Sequence, residues 1–483
     1  MFGDLTCLLP RRVGVLYRVA VTPLAAASGP GAGERLSLQS FSIIRHEVSK
    51  TSSEGLVRGI HKWDLVAIAI NGIIGAGIFG LPAKVYSLIG TYSLVAFIVC
   101  AIVVLLIILC FAEVGSRFDE TGGPYTYARA AFGATVAFEV GWLVWLARLT
   151  AFAANCNLLV SYLAFFWPAA NNPFARATII ISVVISLVAV NIIGVRQAAI
   201  TSDLFTIGKL IPMLVFIIAG LLFLNPHAFA FSPRPSTGAF SQSVLLLIYA
   251  FTGFEMAVIP AGEIRNPQQN LPRALLIATA VVAALYVLIQ VVCIGTLPEL
   301  AGSTKPLADA GQRFMGTAGG AIISAGAVTS IIGNVNIVLL SGSRMPFAMA
   351  EQNQLPAFLA RVHRRFFTPH VAILVTAATM LVLTLKSSFV AALTISTIAR
   401  LVTYAATCAA LPILRRRKDA PPALFHLPGG MIISMAALVL AAWLLVNSTL
   451  GEALVALVAG AIGFAIYLLY RVFSREAPGV KAL

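Results

Sequence analysis

The chain has 483 residues, of which 59% are hydrophobic and only 11% are charged, and its formal net charge is +15. Soluble domains carry about 25% charged residues, so this composition indicates a polytopic membrane protein and excludes a soluble enzyme. The apolar runs are unbroken and do not alternate with polar residues, which excludes a transmembrane barrel. We attribute the positive charge to lysines and arginines at the cytoplasmic face, so no nucleic acid partner is expected.

Residues 1–59 precede the first long apolar run and are basic and rich in small residues. Their one short apolar patch is interrupted by arginine and is not followed by a span, so it does not match a signal peptide. We predict a disordered cytoplasmic tail here. The cysteines of the chain are scattered singly, without the spacing of a metal site, and neither a metal nor a cofactor is expected.

About twelve apolar segments follow, most of them long enough to cross a bilayer as a helix. They cover residues 63–88, 91–113, 132–166, 176–194, 197–224, 241–262, 271–297, 317–350, 370–385, 388–414, 429–448 and 451–472. Lysine and arginine concentrate in alternate loops, so the positive-inside rule predicts that both termini are cytoplasmic. The plain tails, without an organelle signal, favour a prokaryotic inner membrane.

The first segment is interrupted by a glycine-rich stretch, Asn71–Gly80. Each glycine in a helix interior costs about 1 kcal/mol relative to alanine, and any backbone group freed in hydrocarbon must find a partner. A carboxylate fits the N–H groups at the start of the following half-helix, where the helix dipole favours an anion. Close helix packing through small residues is the alternative explanation.

A second interruption, Tyr249–Glu255, lies five segments after the first and again places a glycine beside polar groups. Two sets of five helices, each opening with a broken helix, are typical of inverted-repeat transporters with a site at the membrane midplane. Close packing explains either interruption alone but explains the matched pair poorly. The pattern therefore favours a transporter.

Five sequence motifs resemble the amino acid–polyamine–organocation superfamily of transporters. One of them is the loop Glu263–Pro272, which follows the second interruption. Gly75–Phe79 resembles its Gly-Ser/Ala-Gly-Ile-Phe signature, and Thr121–Tyr127 resembles its cytoplasmic Gly-Gly-x-Tyr-x-Tyr loop. Phe251–Glu255 resembles its Phe-x-Gly-Phe-Glu element, and Ser343–Ala350 its Ser-Arg-x-x-x-Ala-Met-Ala stretch. These motifs occur in the family's order, and the similarity runs from Lys62 to Arg475.

The resemblance implies an all-α, LeuT-like membrane fold with a transport core over residues 60–414. The core would contain two inverted repeats of five helices, at about 63–224 and 241–414. Two additional membrane helices would occupy residues 415–475, and residues 476–483 would form a cytoplasmic tail. The implied activity is secondary transport by alternating access, with no enzymatic reaction. The chain has no Walker-type loop, so ATP hydrolysis is not expected to drive it.

The resemblance also assigns the parts of a substrate site to the two interruptions. The substrate carboxylate would be held by the backbone of Ile74, Gly75, Ala76, Gly77 and Ile78. The substrate amino group would be received by carbonyls near Ala250, Phe251, Thr252 and Gly253. Phe251 or Phe254 would close over the bound molecule as a gate. This placement of the two substrate charges agrees with the helix dipoles, because half-helix N-termini suit an anion and freed C-terminal carbonyls suit a cation.

Ionisable residues at bilayer depth cost a few kcal/mol each, so we treat each one as a functional candidate. The resemblance places Lys209 where sodium-coupled relatives bind their ion, as a coupling residue that carries one positive charge and can release a proton. The alternative is a lysine that reaches the interface with its long side chain. Glu255 either carries a proton in the coupling cycle or accepts hydrogen bonds from unwound backbone.

Arg148 and Arg400 are departures from the family pattern. Either Arg148 binds an acidic or polar substrate directly, or it pairs with Glu139 or Glu255 and is silent toward substrate. Arg400 has no evident partner and is a candidate for an outer gate. Whichever of these two roles Arg148 has, its fixed guanidinium argues against arginine, lysine and polyamines as substrates.

We therefore predict a secondary transporter of neutral or acidic amino acids that is proton-coupled or exchanges substrates. A polyamine or amine carrier is an alternative, but it needs more acidic residues in its pocket. A non-transporting amino acid receptor is another, but no signalling domain is recognisable. The expected partners are the amino acid, protons and the lipid bilayer, and the sequence does not predict an oligomeric state.

Overall fold

The computed structural model describes residues 60–476, with gaps at 120–121, 194, 231–232, 260, 262–263, 367 and 449. Side chains are not described at 195–207, 450, 452–453, 456 and 471–476. The tail predicted at residues 1–59 lies outside the described residues, as do residues 477–483 of the predicted C-terminal tail. Within the described part the fold is all-α, as predicted, with one isolated parallel bridge and no strand.

Helices account for all of the predicted apolar segments. In chain order they are α1 (Lys62–Ile73), α2 (Ala76–Ile89), α3 (Ser93–Gly115), α4 (Pro124–Phe132), α5 (Ala134–Leu163), α6 (Pro173–Ile193), α7 (Val195–Leu221), α8 (Thr237–Phe251), α9 (Glu255–Val258), α10 (Pro267–Thr296), α11 (Pro306–Glu351), α12 (His370–Lys386), α13 (Phe389–Arg416), α14 (Gly430–Val446) and α15 (Leu450–Glu476). Among the described residues, 6 helical stretches are long and apolar enough to cross a membrane, and one of them joins α2 to α3. The remaining apolar helices are shorter, so the total of about twelve spans stays a prediction.

Both predicted interruptions are breaks in the helices. Between α1 and α2 the backbone is extended at Ile74 and Gly75. Between α8 and α9 it is extended at Thr252, and Gly253 has a φ of +109°, which favours glycine. The two breaks pack directly on each other, since a Cβ added to Gly72 would lie 2.6 Å from the Gly253 carbonyl oxygen.

The broken helices also cross closely beyond the breaks. A Cβ on Gly77 of α2 would lie 2.6 Å from the Cα of Ala250 in α8, so only glycine allows this approach. Around this crossing, α5 packs against α11 and α13, and α10 packs against α1 and α3. Both breaks are therefore inside the helix bundle, and the residues at the crossing are buried.

The outward faces of the peripheral helices carry large apolar side chains. Exposed examples on α6, α7, α14 and α15 are Ile185, Ile218, Ile432, Val439, Leu457 and Leu469. Such a continuous apolar exterior would be costly in water and fits contact with the hydrocarbon of a bilayer. The exterior therefore agrees with the composition.

A carboxylate at the end of α3 ties this helix to the far end of the chain. Glu113 is fully buried and accepts two hydrogen bonds from Arg415 at the end of α13, at 2.7 and 2.6 Å. It also accepts one from the backbone N–H of Leu427, at 2.9 Å. Arg117 lies 3.4 Å from the same carboxylate and donates to the carbonyl of Pro421. These contacts hold the α13–α14 loop against α3.

We expect Glu113→Gln to lower the free energy of unfolding by about 3–5 kcal/mol, because it leaves the arginines around it without a buried counter-charge. Asp419→Asn is the control, since Asp419 pairs with Arg417 at 2.6 Å but both are exposed. That pair does hold the pKa of the Asp419 carboxyl below its ordinary value, through the Arg417 hydrogen bond. Thermal unfolding in detergent measures both variants, and an unchanged melting temperature for Glu113→Gln would contradict the prediction.

Candidate functional site

A small cavity lies where the two helix breaks meet. One side is formed by Gly75, Ala76 and Gly77, and the other by Thr252 and Gly253, so five of the predicted site residues line it. Side chains from surrounding helices complete the lining, among them Asn155, Tyr249, Met256, Asn334 and Arg400. Its volume is about 20 Å³, which is room for about one water molecule. An amino acid can enter only if the lining moves apart.

The other predicted site residues are buried behind this lining. They are Ile74, Ile78, Ala250, Phe251, Phe254, Arg148, Lys209 and Glu255. Phe251 packs edge to face on Tyr286 at 5.0 Å between ring centroids. Phe254 packs on Phe111 and Tyr404, at 5.1 and 5.0 Å. Neither phenylalanine lines the cavity in this conformation, and their role as gates stays a prediction.

The first N–H groups of α2 face a side chain that the sequence analysis did not single out. Asn155 of α5 accepts a hydrogen bond from the backbone N–H of Ala76 at 3.1 Å. Its amide nitrogen donates to the carbonyl of Ala151 at 2.7 Å and to the hydroxyl of Tyr249 at 2.8 Å. The first N–H groups of a helix have no partner within the helix, so Asn155 occupies the position that suits an anion.

One tyrosine hydroxyl contacts backbone carbonyls at the C-terminal ends of both α1 and α8. The hydroxyl of Tyr286 in α10 lies 3.2 Å from the carbonyl oxygen of Ile73 and 3.1 Å from that of Ala250. These oxygens belong to the last turns of α1 and α8, where the helix dipole favours a positive group. No motif marked Tyr286, because its only signal is a hydroxyl in an apolar helix.

Lys209 reaches from α7 into the first break and is fully buried. Its ammonium donates to the backbone oxygen of Asn71 at 2.9 Å and to that of Ile74 at 2.8 Å. It also donates to the side-chain oxygen of Asn71. These acceptors use all three hydrogens of the ammonium, so Lys209 places a single positive charge at the C-terminal end of α1.

Glu255 contacts polar groups of two other helices, α5 and α13, and of the second break. Its Oε2 accepts from the N–H of Gly253 at 2.9 Å and from the hydroxyl of Tyr404 at 2.7 Å. Its Oε1 accepts from Nη1 of Arg400 at 2.6 Å, and Nη2 of Arg148 lies 3.3 Å away. Of the two partners considered for Arg148, the contact is therefore with Glu255. Arg400, which had no evident partner, pairs with the same carboxylate.

Comparison with known proteins identifies the family. The model of the family described as "Amino acid permease" matches residues 60–470. The chain belongs to this family.

Curated bacterial relatives support the same assignment. The permease is 32% identical over 394 residues to a serine/threonine exchanger, SteT, of Bacillus subtilis, covering 78% of this chain and 88% of the relative. It is 27% identical over 457 residues to the branched-chain amino acid permease BcaP of the same organism, covering 88% and 96%. A methylthioribose transporter of that organism is 28% identical over 344 residues, covering 66% and 73%. The permease is thus a multi-pass membrane transporter of amino acids and not an enzyme.

Proposed function

We propose that the permease is a secondary transporter of neutral or acidic amino acids that works by alternating access. The observation that carries this proposal is the meeting of two helix breaks at one cavity. One break presents the start of a helix, where an anion is favoured, and the last turns of two half-helices present carbonyls, where a cation is favoured.

An amino acid zwitterion has the two charges that this arrangement matches. In our proposal the carboxylate takes the N–H of Ala76 in place of Asn155, which now accepts from it at 3.1 Å. The ammonium takes a carbonyl oxygen of Ile73 or Ala250, both of which now lie near the hydroxyl of Tyr286. Each charged group of the substrate thereby replaces a neutral group of the protein, and charge-assisted hydrogen bonds are stronger than neutral ones.

Lys209 supports coupling by protons or exchange. Its buried ammonium already fills a cage of three oxygens at the end of α1, so this cage needs no metal cation. The names of two relatives point to neutral amino acids, one as a serine/threonine exchanger and one as a branched-chain amino acid permease. A polyamine carrier is disfavoured, because the charged side chain that lines the cavity is Arg400.

We further propose the membrane arrangement that the breaks suggest. The first repeat would cover about residues 63–224 and the second about 241–414, with two additional helices in 415–475. The supporting observation is that α1/α2 and α8/α9, which would open the two repeats, are both discontinuous. Both termini would be cytoplasmic in a prokaryotic inner membrane, by the excess of lysine and arginine in alternate loops.

Uptake by proteoliposomes of the purified full chain tests the proposal. We expect uptake of radiolabelled serine, threonine, leucine or glutamate, faster with an inward proton gradient or with unlabelled amino acid inside the vesicles. Protein-free liposomes are the control, and spermidine and methylthioribose test the other substrate classes. Accumulation of spermidine or methylthioribose without any amino acid would overturn the proposal, as would amino acid binding without transport in either mode.

A further inference from the structure

The charged cluster at Glu255 contains more positive than negative charge. Arg148 of α5 and Arg400 of α13 both face the one carboxylate, at 3.3 and 2.6 Å. In the described part of the chain, no second carboxylate reaches either guanidinium. The exposed fractions of the side chains are 1% for Arg148, 6% for Arg400 and 4% for Glu255, so bulk solvent screens the excess charge only weakly. One positive charge is therefore buried without a counter-charge.

The excess is located on Arg148. Glu255 already accepts hydrogen bonds from Arg400, Tyr404 and the N–H of Gly253, which engage both of its carboxylate oxygens. Both terminal nitrogens of Arg148 are buried, and neither finds a hydrogen-bond acceptor among the described residues. Buried polar groups in folded proteins nearly always have partners, and a guanidinium is suited to bind a carboxylate through two nitrogens. Arg148 therefore has an ion pair with Glu255 but unused hydrogen-bond donors, and a bound anion would supply both the acceptor and the negative charge that the cluster lacks.

The cluster borders the cavity at the helix breaks. Arg400 lines this cavity together with Ala76, whose N–H marks the start of α2. The cavity thus has two features that favour an anion, a helix start and Arg400, while Arg148 contacts the same carboxylate as Arg400 from outside the lining. A ligand with two carboxylates can place one at each of them.

We propose that Arg148 and Arg400 form a second anion subsite, which binds the side-chain carboxylate of an acidic amino acid, aspartate or glutamate. This inference rests on the proposed function and narrows its substrate class. The α-carboxylate lies at the start of α2, and the side-chain carboxylate approaches Arg400 and draws the guanidinium of Arg148 toward it. Glu255 keeps its hydrogen bonds from Tyr404 and Gly253 and holds Arg400 in place.

An inorganic anion such as chloride shares this chemistry, and the experiment separates the two sources. Exchange of radiolabelled serine by proteoliposomes is measured with glutamate, aspartate, glutamine or asparagine as external competitor. Each series is run in chloride and again in methanesulfonate. We expect glutamate or aspartate to compete at about tenfold lower concentration than its amide in both salts, because only the acids carry the second carboxylate. Glutamate is also expected to raise the melting temperature of the detergent-solubilised protein more than glutamine does.

Arg148→Met is the informative variant, since it removes the excess charge and leaves the Glu255 hydrogen bonds intact. We expect it to lose the preference for glutamate over glutamine, whereas Arg148→Lys keeps the charge and part of the preference. A purely structural role for Arg148 would change protein yield and leave the ratio of the two competitors unchanged, which would overturn the inference.

The outcomes distinguish this inference from the proposed function. If serine exchanges but the acids compete no better than their amides, the second subsite is wrong and the transporter proposal stands. If serine exchange requires chloride and the acids show no preference, the anion is inorganic and the inference is overturned. If the folded protein neither exchanges an amino acid of any class nor takes one up under an inward proton gradient, both proposals fail.

Discussion

Replacement of Lys209 by methionine is expected to reduce amino acid exchange by about tenfold or more while the chain still folds. The variant leaves the carbonyls of Asn71 and Ile74 without their buried donor. Each such group costs about 1–3 kcal/mol, and about 1.4 kcal/mol corresponds to a factor of ten. The first break then loses the charge that fixes its conformation. Counterflow of radiolabelled serine in proteoliposomes measures the effect.

Two further variants show what Lys209 does. Lys386→Met removes an exposed lysine at the end of α12 and is expected to exchange normally. Lys209→Arg keeps a positive charge but does not release a proton. It is therefore expected to retain exchange and to lose the response to an inward proton gradient. An arginine variant that still responds to the gradient would leave Lys209 with a structural role alone.

Replacement of Asn155 by aspartate is expected to abolish amino acid binding, while the helix dipole offsets part of the cost of burying the new charge and of losing the amide donors. The new carboxylate would accept from the N–H of Ala76 as the amide oxygen now does. A negative charge at a helix start stabilises the helix by about 0.3–1 kcal/mol. The same charge would repel the substrate carboxylate, by about 4 kcal/mol at a separation near 4 Å and an effective dielectric constant near 20. Equilibrium binding of radiolabelled serine and a melting curve measure the two effects.

The same helix offers a matched control for this variant. Asn157 lies two residues further along α5, outside the cavity, and its side-chain oxygen accepts from Arg176. Asn157→Asp therefore adds the same charge beside an arginine and away from the helix start, and binding is expected to be unchanged. Serine binding by Asn155→Asp at the level of the unmodified protein would mean that the substrate carboxylate does not go to α2.

The helix breaks could be predicted because their signals are local. The glycines of the two interruptions, among them Gly75 and Gly253, are costly in a helix interior. The second interruption also lies five apolar segments after the first, so the pattern repeats. Lys209 and Glu255 could be singled out for a similar reason, since an ionisable residue in an apolar run must have a partner. In each case the cost of placing the residue in a membrane helix is readable without knowing the fold.

The partners of these residues could not be predicted, because they depend on how distant helices pack. Glu113 and Arg415 are 302 positions apart, and nothing near either one indicates the other. Asn155 was missed for a related reason. A single amide in an apolar helix shows that some partner exists, but the N–H of Ala76 becomes that partner only when α5 packs beside the first break.

Tyr286 has one hydroxyl hydrogen and two carbonyl oxygens within reach, so at any moment its hydroxyl donates to only one of these oxygens. A bound ammonium can donate to the second oxygen while the tyrosine keeps the first, which completes the hydrogen bonding of both helix ends. An α-keto acid brings no hydrogen-bond donor to this position and gives the second carbonyl no new partner. In the proposed binding mode we therefore expect the protein to favour substrates that carry a hydrogen-bond donor at the α position, because the Tyr286 hydroxyl has a single hydrogen.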